Sequence, residues 1–267
     1  MHVSYEYIMA GLIIILVMNA VQIAVSDLLS QRLTALEEQN LRTEAEKVAD
    51  VIFLSPGNPV NWGNTPAQEP TFFGLASASS LRAYTLDPYK IMRLMQNSTG
   101  YISPTRAREL LGLSPSSQFS LKITPLLDVE VAGNGEFTIT VKDRMGVLEA
   151  NVNVTSFYVP KSLSIDSTYS SVTNITRLDG TCMVSFQPQE NYVLVVLAEQ
   201  SAGKSLVTFP QGYDFKVEGG RVFQSDVPLF AEMDYSTGSF SGTTATMTYR
   251  YVTIDGLTYV AQFELME

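Results

Sequence analysis

The feature that most constrains this chain is an uncharged apolar run at its N-terminus. Residues 8–25 read IMAGLIIILVMNAVQIAV. At 1.5 Å per residue, a helix of this length crosses most of the roughly 30 Å hydrocarbon core of a bilayer. Two amides, Asn19 and Gln22, interrupt the run near one end, and in a membrane such groups face a neighbouring helix rather than lipid. The run predicts a membrane-spanning helix, with a cleaved secretory signal as the alternative.

The following residues predict an amphipathic continuation of the same helix. No proline or glycine occurs between Leu12 and Ser55, so the sequence contains no helix breaker there. Apolar residues recur at spacings of three to five, which predicts one apolar stripe: Leu29, Leu33, Leu36, Leu41, Ala45, Val48 and Ile52. We expect one helix over residues 1–54.

Charge and residue counts exclude several classes of function. The net charge is −10 and lysine and arginine do not cluster, so we expect no nucleic-acid partner. The chain has one histidine, His2, and one cysteine, Cys182, which rules out an intrachain disulfide and leaves too few ligands for a zinc site of His and Cys. Cys182 lies in an alternating stretch and is expected to be a packed strand residue. We expect no enzyme, metal or cofactor.

Three N-x-Ser/Thr sequons, at Asn97, Asn153 and Asn174, are candidate N-glycosylation sites. Such sites suit an exported surface. We therefore expect residues 26–267 to lie outside the cell.

The stretch SPGNPVNWG, residues 55–63, predicts the end of the long helix and a joint to the next region. A residue before proline leaves the α conformation, and glycine permits a sharp turn. The expected joint residues are Pro56, Gly57, Pro59 and Trp62. The alternative is a sugar-binding platform around Trp62. Asp87-Pro88 and Ser103-Pro104 then predict two short helices, the first to about Gln96, in a connector over residues 55–125.

From Phe119 onward the apolar pattern alternates with period two, which predicts strands. Phe137, Ile139 and Val141 fall on one face, residues 191–199 read as a buried central strand, and Asp255-Gly256 predicts a hairpin across residues 247–265. The fold class is therefore α+β: a long N-terminal helix, a small helical connector, and an antiparallel β-sandwich with extra strands over residues 126–267.

The N-terminal segment VSYEYIMAGLIIILV resembles the mature start of archaeal type IV pilin-like and archaellum-type subunits, in the positions of Ser4, Glu6 and Tyr7. The joint stretch, FGLA at residues 73–76 and YTLDPYKIMRLM at residues 84–95 extend this resemblance. It implies a helix that first anchors the subunit and then packs into a filament core, with Glu6 setting the register. From the residues alone, Glu6 could equally complement the helix dipole at the membrane surface.

The β region resembles immunoglobulin-like modules of carboxypeptidase-regulatory or invasin type. The matching residues are Asp143, Gly146, Ala150, Val152, Asp179 and Gly180. The resemblance implies that the sandwich over residues 126–267 is immunoglobulin-like. Because many surface modules share this pattern, it implies a fold rather than an activity.

We expect a pilin-like structural subunit of an archaeal extracellular filament, whose partners are the membrane and copies of itself or of other pilin-like subunits. The main alternative is a membrane-anchored adhesin or binding module that does not polymerise and whose ligand is a surface glycan or protein. A third hypothesis is a membrane-tethered hydrolase that uses two acidic residues.

Overall fold

A computed structural model describes residues 2–164, 167–238 and 244–266, with α1 side chains from Met9 onward. Its first element is the helix α1 (His2–Leu54), 53 residues long, or about 80 Å at 1.5 Å per residue. The prediction of one uninterrupted N-terminal helix is confirmed. The helix ends directly before Ser55-Pro56, where the proline disfavours the α conformation of the preceding residue.

Two short helices follow, and each begins at the capping residue that the sequence predicts. Asp87 accepts hydrogen bonds from two backbone N–H groups in the first turn of α2 (Pro88–Met92). Ser103 does the same for one N–H of α3 (Pro104–Leu110). Proline stands at the first helical position of both, where its missing N–H is not needed. α2 ends four residues before the expected Gln96, since the chain continues in turns with bonds three residues back.

The described part of the chain contains fourteen strands. In chain order they are β1 (Thr85–Leu86), β2 (Gln118–Pro125), β3 (Leu127–Asn134), β4 (Glu136–Asp143), β5 (Asn153–Pro160), β6 (Ser170–Ile175), β7 (Thr181–Ser185), β8 (Tyr192–Gln200), β9 (Gly203–Phe209), β10 (Phe215–Glu218), β11 (Arg221–Gln224), β12 (Met233–Ser236), β13 (Ala245–Ile254) and β14 (Leu257–Met266). They form sheets of five, four and three strands and a two-stranded hairpin.

The five-stranded sheet packs against the C-terminal end of α1. Its order is β1-β13-β14-β2-β12, with β1 parallel to β13 and the other pairs antiparallel. A salt bridge of 3.2 Å joins Arg250 of β13 to Asp50 of the helix. The helix and the sheet share one apolar core, which covers the inner face of the last turns of α1: Leu41, Ala45, Ala49, Ile52, Phe53, Phe119, Leu121, Ile123, Val252, Ile254, Phe263 and Leu265.

The three- and four-stranded sheets form a β-sandwich, with orders β3-β4-β7 and β6-β5-β8-β9. Immunoglobulin constant domains divide their seven strands as ABED and CFG. If β3 to β9 are lettered A to G in chain order, the two sheets of this sandwich are A-B-E and D-C-F-G. The fourth strand, β6, has changed sheets because it pairs with β5 rather than with β7. The expected α+β class with an immunoglobulin-like sandwich is therefore confirmed. β8 is central, as predicted, and Phe137, Ile139 and Val141 point into the sandwich core.

The sandwich is inserted into the five-stranded sheet rather than following it. β2 pairs with β14 over its whole length, from Gln118 opposite Met266 to Pro125 opposite Tyr259. Within residues 126–267, β12, β13 and β14 are therefore extra strands that lie outside the sandwich and return to the sheet on α1. Alternate residues of β14 explain this: Phe263 and Leu265 cover the helix, whereas Val260 is buried on the opposite side, in the sandwich core.

The β10–β11 hairpin covers the outer face of the four-stranded sheet. Apolar residues of both form a third core, which includes Phe157, Val159, Val193, Val195, Phe215 and Val222. Both faces of β8 are therefore buried, which explains its nearly continuous apolar sequence.

Candidate membrane and assembly site

The N-terminal three quarters of α1 project from the rest of the protein. Every residue from Leu12 to Asn40 is exposed, and the large apolar side chains of residues 9–36 are 49–67% exposed. An 18-residue window of this helix is long and apolar enough to span a membrane, and none of it is buried. Soluble monomers rarely expose so much contiguous apolar surface. The helix fits membrane anchoring, or burial against other apolar helices.

We call residues 9–25 the membrane segment, residues 26–40 the stalk, and the described part of residues 55–266 the head. Residues 41–54 of α1 join the stalk to the head.

The stripe expected over residues 29–52 is two faces rather than one. Leu29, Leu33 and Leu36 are exposed, whereas Leu41 and Ala45 are buried against the head. Leu36 and Ala45 lie nine residues apart, which is about two and a half turns, so they point to opposite sides of the helix. The stalk leucines are therefore turned away from the surface that holds the head.

The polar residues expected at the site all lie on α1. Asn19 and Gln22 are exposed, and because they are three residues apart they share one side of the helix. Ser4, Glu6 and Tyr7 lie in the first turns of α1, and their side chains fall outside the described part of the structure.

At the other end of α1, the joint is built around Trp62, which is fully buried. Its indole N–H donates to the carbonyl oxygen of Gly74 at 3.1 Å, and its ring lies 6.0 Å from that of Phe73. Gly57 approaches the indole so closely that a Cβ there would lie 2.8 Å from Nε1. The indole is thus enclosed by the joint and is not displayed to solvent as a sugar-stacking surface would be.

Two backbone carbonyl groups at the end of α1 and directly after it accept hydrogen bonds from the connector. The oxygen of Ile52 accepts from the N–H of Leu75 at 2.7 Å, and that of Ser55 accepts from the N–H of Ala76 at 3.0 Å. These bonds supply partners that a helix C-terminus otherwise lacks. The other two expected joint residues, Pro56 and Pro59, are partly buried, and the peptide bond before Pro59 is cis.

Lys90 is the residue of the joint that sequence reasoning missed. Its side chain is fully buried, and Nζ donates to the carbonyl oxygens of Pro56 and Ala76 at 2.8 Å each. Nζ lies 5.8 Å from the centre of the Trp62 ring. Burial lowers the pKa of the Lys90 amine, and the nearby Asp87 carboxylate partly offsets this effect. The Leu-Asp-x-x-Lys pattern was visible in the sequence, but nothing in it indicated which carbonyl groups the lysine would bind.

Arg93 forms a second buried cation beside Trp62. It donates to backbone oxygens of Gly100 at 2.7 Å, of Gln68 at 3.0 Å and of Trp62 itself, and its guanidinium lies 5.3 Å from the indole ring. One aromatic ring in contact with two backbone-bound cations stabilises the connection. The joint therefore fixes how the head leaves the long helix.

The three sequon asparagines are exposed on the head. Asn97 lies in the turns after α2, whereas Asn153 and Asn174 lie on the adjacent strands β5 and β6. The Asn174 amide also donates to the Met183 carbonyl oxygen at 2.8 Å. Cys182 is buried in the sandwich, which raises the pKa of its thiol. Among the described residues, no three His, Cys, Asp or Glu side chains are grouped so as to hold a metal ion.

No family model, curated protein or solved structure matches this chain.

Proposed function

We propose that this chain is a pilin-like structural subunit of an archaeal extracellular filament. Its N-terminal helix inserts in the membrane, packs with the helices of other subunits, and carries the head outside the cell. The observation that carries the proposal is the continuous α1, which is apolar over residues 9–25, exposed over residues 12–40, and bound into the head from residue 41. Such a helix needs lipid or neighbouring helices to cover it.

The joint and the insertion of the sandwich also favour this function. A filament subunit must hold its head at a fixed angle to the helix, and the buried Lys90, Arg93 and Trp62 supply a rigid connection. The sandwich is held through β2 and β14 in a sheet that packs on α1, so a load on the sandwich passes directly to the helix.

The proposal is tested by electron microscopy of material sheared from the native cells, labelled with an antibody against the head. We expect labelled filaments, and label restricted to the membrane fraction would refute a role as a major subunit. Glu6→Gln should reduce the number of filaments if Glu6 sets the register of neighbouring helices. Glu44→Gln is the matched control, because Glu44 is an exposed carboxylate on the same helix near the head.

A second candidate function is a membrane-anchored adhesin or ligand-binding module, and the tip of the sandwich favours it. Two loops meet there, since the Thr176 hydroxyl donates to the Glu149 carbonyl oxygen at 2.7 Å. They leave a group of apolar side chains exposed: Met145, Val147, Leu148, Ile175 and Leu178. A binding role predicts that Leu178→Asp abolishes attachment of cells to a glycan or protein surface without changing the amount of protein in the membrane.

A further inference from the structure

We infer that the face of α1 opposite the head is a heptad seam that pairs, parallel and in register, with α1 of a second copy of this chain. This inference deepens the proposed assembly role and rests on the helix being presented to other copies. It goes further in naming which face is used, in which orientation, and with how many partners.

The seam follows the seven-residue spacing that Leu29, Leu33 and Leu36 set in the stalk and that continues through the membrane segment; five of its nine positions are leucine or isoleucine and four are polar. The seven positions of the repeat are lettered a to g, and Leu33 is taken as position a. Positions a and d are then occupied by Leu12, Ile15, Asn19, Gln22, Ser26, Leu29, Leu33, Leu36 and Asn40. All of them are exposed. Leu28 is the one stalk leucine outside the repeat. A seven-residue repeat of this kind is the pattern of helices that wrap around each other in a left-handed supercoil.

The amides of the membrane segment support the same face. Asn19 and Gln22 are the two amide side chains between Met9 and Val25, and they occupy successive a and d positions. An amide both donates and accepts hydrogen bonds, so it pairs with the same residue of an identical helix. A polar residue at an a position also fixes the register of paired helices.

The head does not block this face. Leu36 and Ala45 point to opposite sides of α1, and Ala45 is buried against the head whereas Leu36 is 55% exposed. Two helices can therefore meet along the stalk with their heads turned outward. Because both copies enter the membrane from the same side, the pair must be parallel.

Charges beside the seam match a parallel pair. Arg32 precedes Leu33 at position g, and Glu37 follows Leu36 at position e. In a parallel pair, a residue at g faces the e residue of the partner five positions later, which joins Arg32 of each copy to Glu37 of the other. Within one helix, residues five apart are not neighbours. In the described structure neither residue takes part in an intrachain salt bridge.

Disulfide cross-linking of the full chain in liposomes tests the seam. In a Cys182→Ala background, single cysteines are placed on the seam with Leu33→Cys and Leu36→Cys, and away from it with Ala35→Cys and Glu38→Cys. All four positions are exposed on the stalk. Because a disulfide needs Cα atoms within about 7 Å, we expect dimers to form roughly tenfold faster, or more, at the two seam positions. Equal rates of cross-linking at all four positions, or faster cross-linking at Ala35→Cys and Glu38→Cys, would overturn the inference.

A charge exchange supplies a second test that does not depend on cysteine. Arg32→Glu should weaken dimerisation, measured by energy transfer between labelled copies, roughly two- to fivefold. Adding Glu37→Arg should restore it, since the exchanged pair is again complementary. Arg42→Glu is the control and should change nothing, because Arg42 lies off the seam and pairs with Glu46 of its own helix. Failure of the double variant to recover would overturn the assigned register.

The seam and the proposed filament function can be refuted independently of each other. Filaments with equal cross-linking at seam and control positions would refute the seam and leave the proposed function in place. Seam-specific dimers from cells that make no filaments would support the seam and refute the proposed function.

Discussion

Replacing Lys90 with methionine tests how the head is fixed to the end of α1. Methionine fills much of the same buried space but removes the two hydrogen bonds of 2.8 Å from Nζ to the oxygens of Pro56 and Ala76. A buried acceptor left without a partner costs about 1–3 kcal/mol. Two such losses, partly offset because a buried charge is no longer desolvated, should lower the free energy of unfolding of the head by about 2–4 kcal/mol.

The assay uses the only tryptophan of the chain, Trp62, whose ring lies 5.8 Å from Lys90 Nζ. Urea unfolding of the full chain in detergent is followed by the fluorescence of this buried indole. The control is Lys122→Met, because Lys122 is 42% exposed and pairs with Glu232 on the surface, where such a pair contributes about 0–1 kcal/mol. Equal unfolding midpoints for the two variants would show that the buried hydrogen bonds of Lys90 do not stabilise the head.

The pH dependence of this difference follows from the lowered pKa of Lys90. Because the folded-state pKa lies below the usual 10.5, the unfolded chain holds the proton more tightly. The contribution of Lys90 to the free energy of unfolding therefore rises as pH increases from the folded-state pKa to about 10.5. The methionine variant lacks this titration, so its deficit relative to the native chain should widen over the same range. A deficit that shrinks would contradict the lowered pKa.

Three further predictions concern backbone strain, insertion and burial. Gly57→Ala should lower the free energy of unfolding by more than about 2 kcal/mol, because Gly57 has φ 73° and an added Cβ would lie 2.7 Å from a carbonyl oxygen. The control is Gly112→Ala, at φ 71° with open space around it. It should lower the free energy of unfolding by only about 1 kcal/mol in the same urea assay. Ile15→Asp should oppose membrane insertion by about 2.5–3.5 kcal/mol and reduce the fraction that floats with liposomes, whereas Leu81→Asp, on an exposed turn of the head, should not. Cys182, only 3% exposed and with a raised pKa, should resist a thiol reagent at pH 8 until urea is added; equally fast labelling without urea would contradict its burial.

Local features of the fold could be predicted because each depends on a few neighbouring residues. The long helix follows from the absence of proline and glycine, the two short helices from Asp87-Pro88 and Ser103-Pro104, and the last hairpin from Asp255-Gly256. An alternating pattern also indicates which side of a strand is buried, as for Phe137 and Ile139.

The pairing of distant strands could not be predicted in the same way. The pattern of β14 is equally compatible with the sandwich and with the sheet on α1, and its partner β2 lies more than 130 residues earlier in the chain. The same limit explains why the role of Lys90 was missed. Its two acceptors are 34 and 14 residues away in sequence and meet only in the folded joint.

The site on α1 was partly visible in the sequence. Composition identified the membrane segment and its two amides, but a spacing of three to five residues suggested one stripe where the structure has two faces. Leu41 and Ala45 are buried by the head, and this burial identifies the stalk leucines as a separate surface.

Membrane anchoring is tested most directly by measuring the environment of α1 in a lipid bilayer. Spin labels at Ile15→Cys and Glu44→Cys, in a Cys182→Ala background, are compared for collisions with oxygen, which concentrates in lipid, and with a water-soluble nickel complex. We expect the label at residue 15 to collide with oxygen but not with nickel, and the label at residue 44 to collide with nickel. Ready access of nickel to the label at residue 15 would mean that the apolar helix does not enter the membrane, and would contradict the membrane anchoring of this protein.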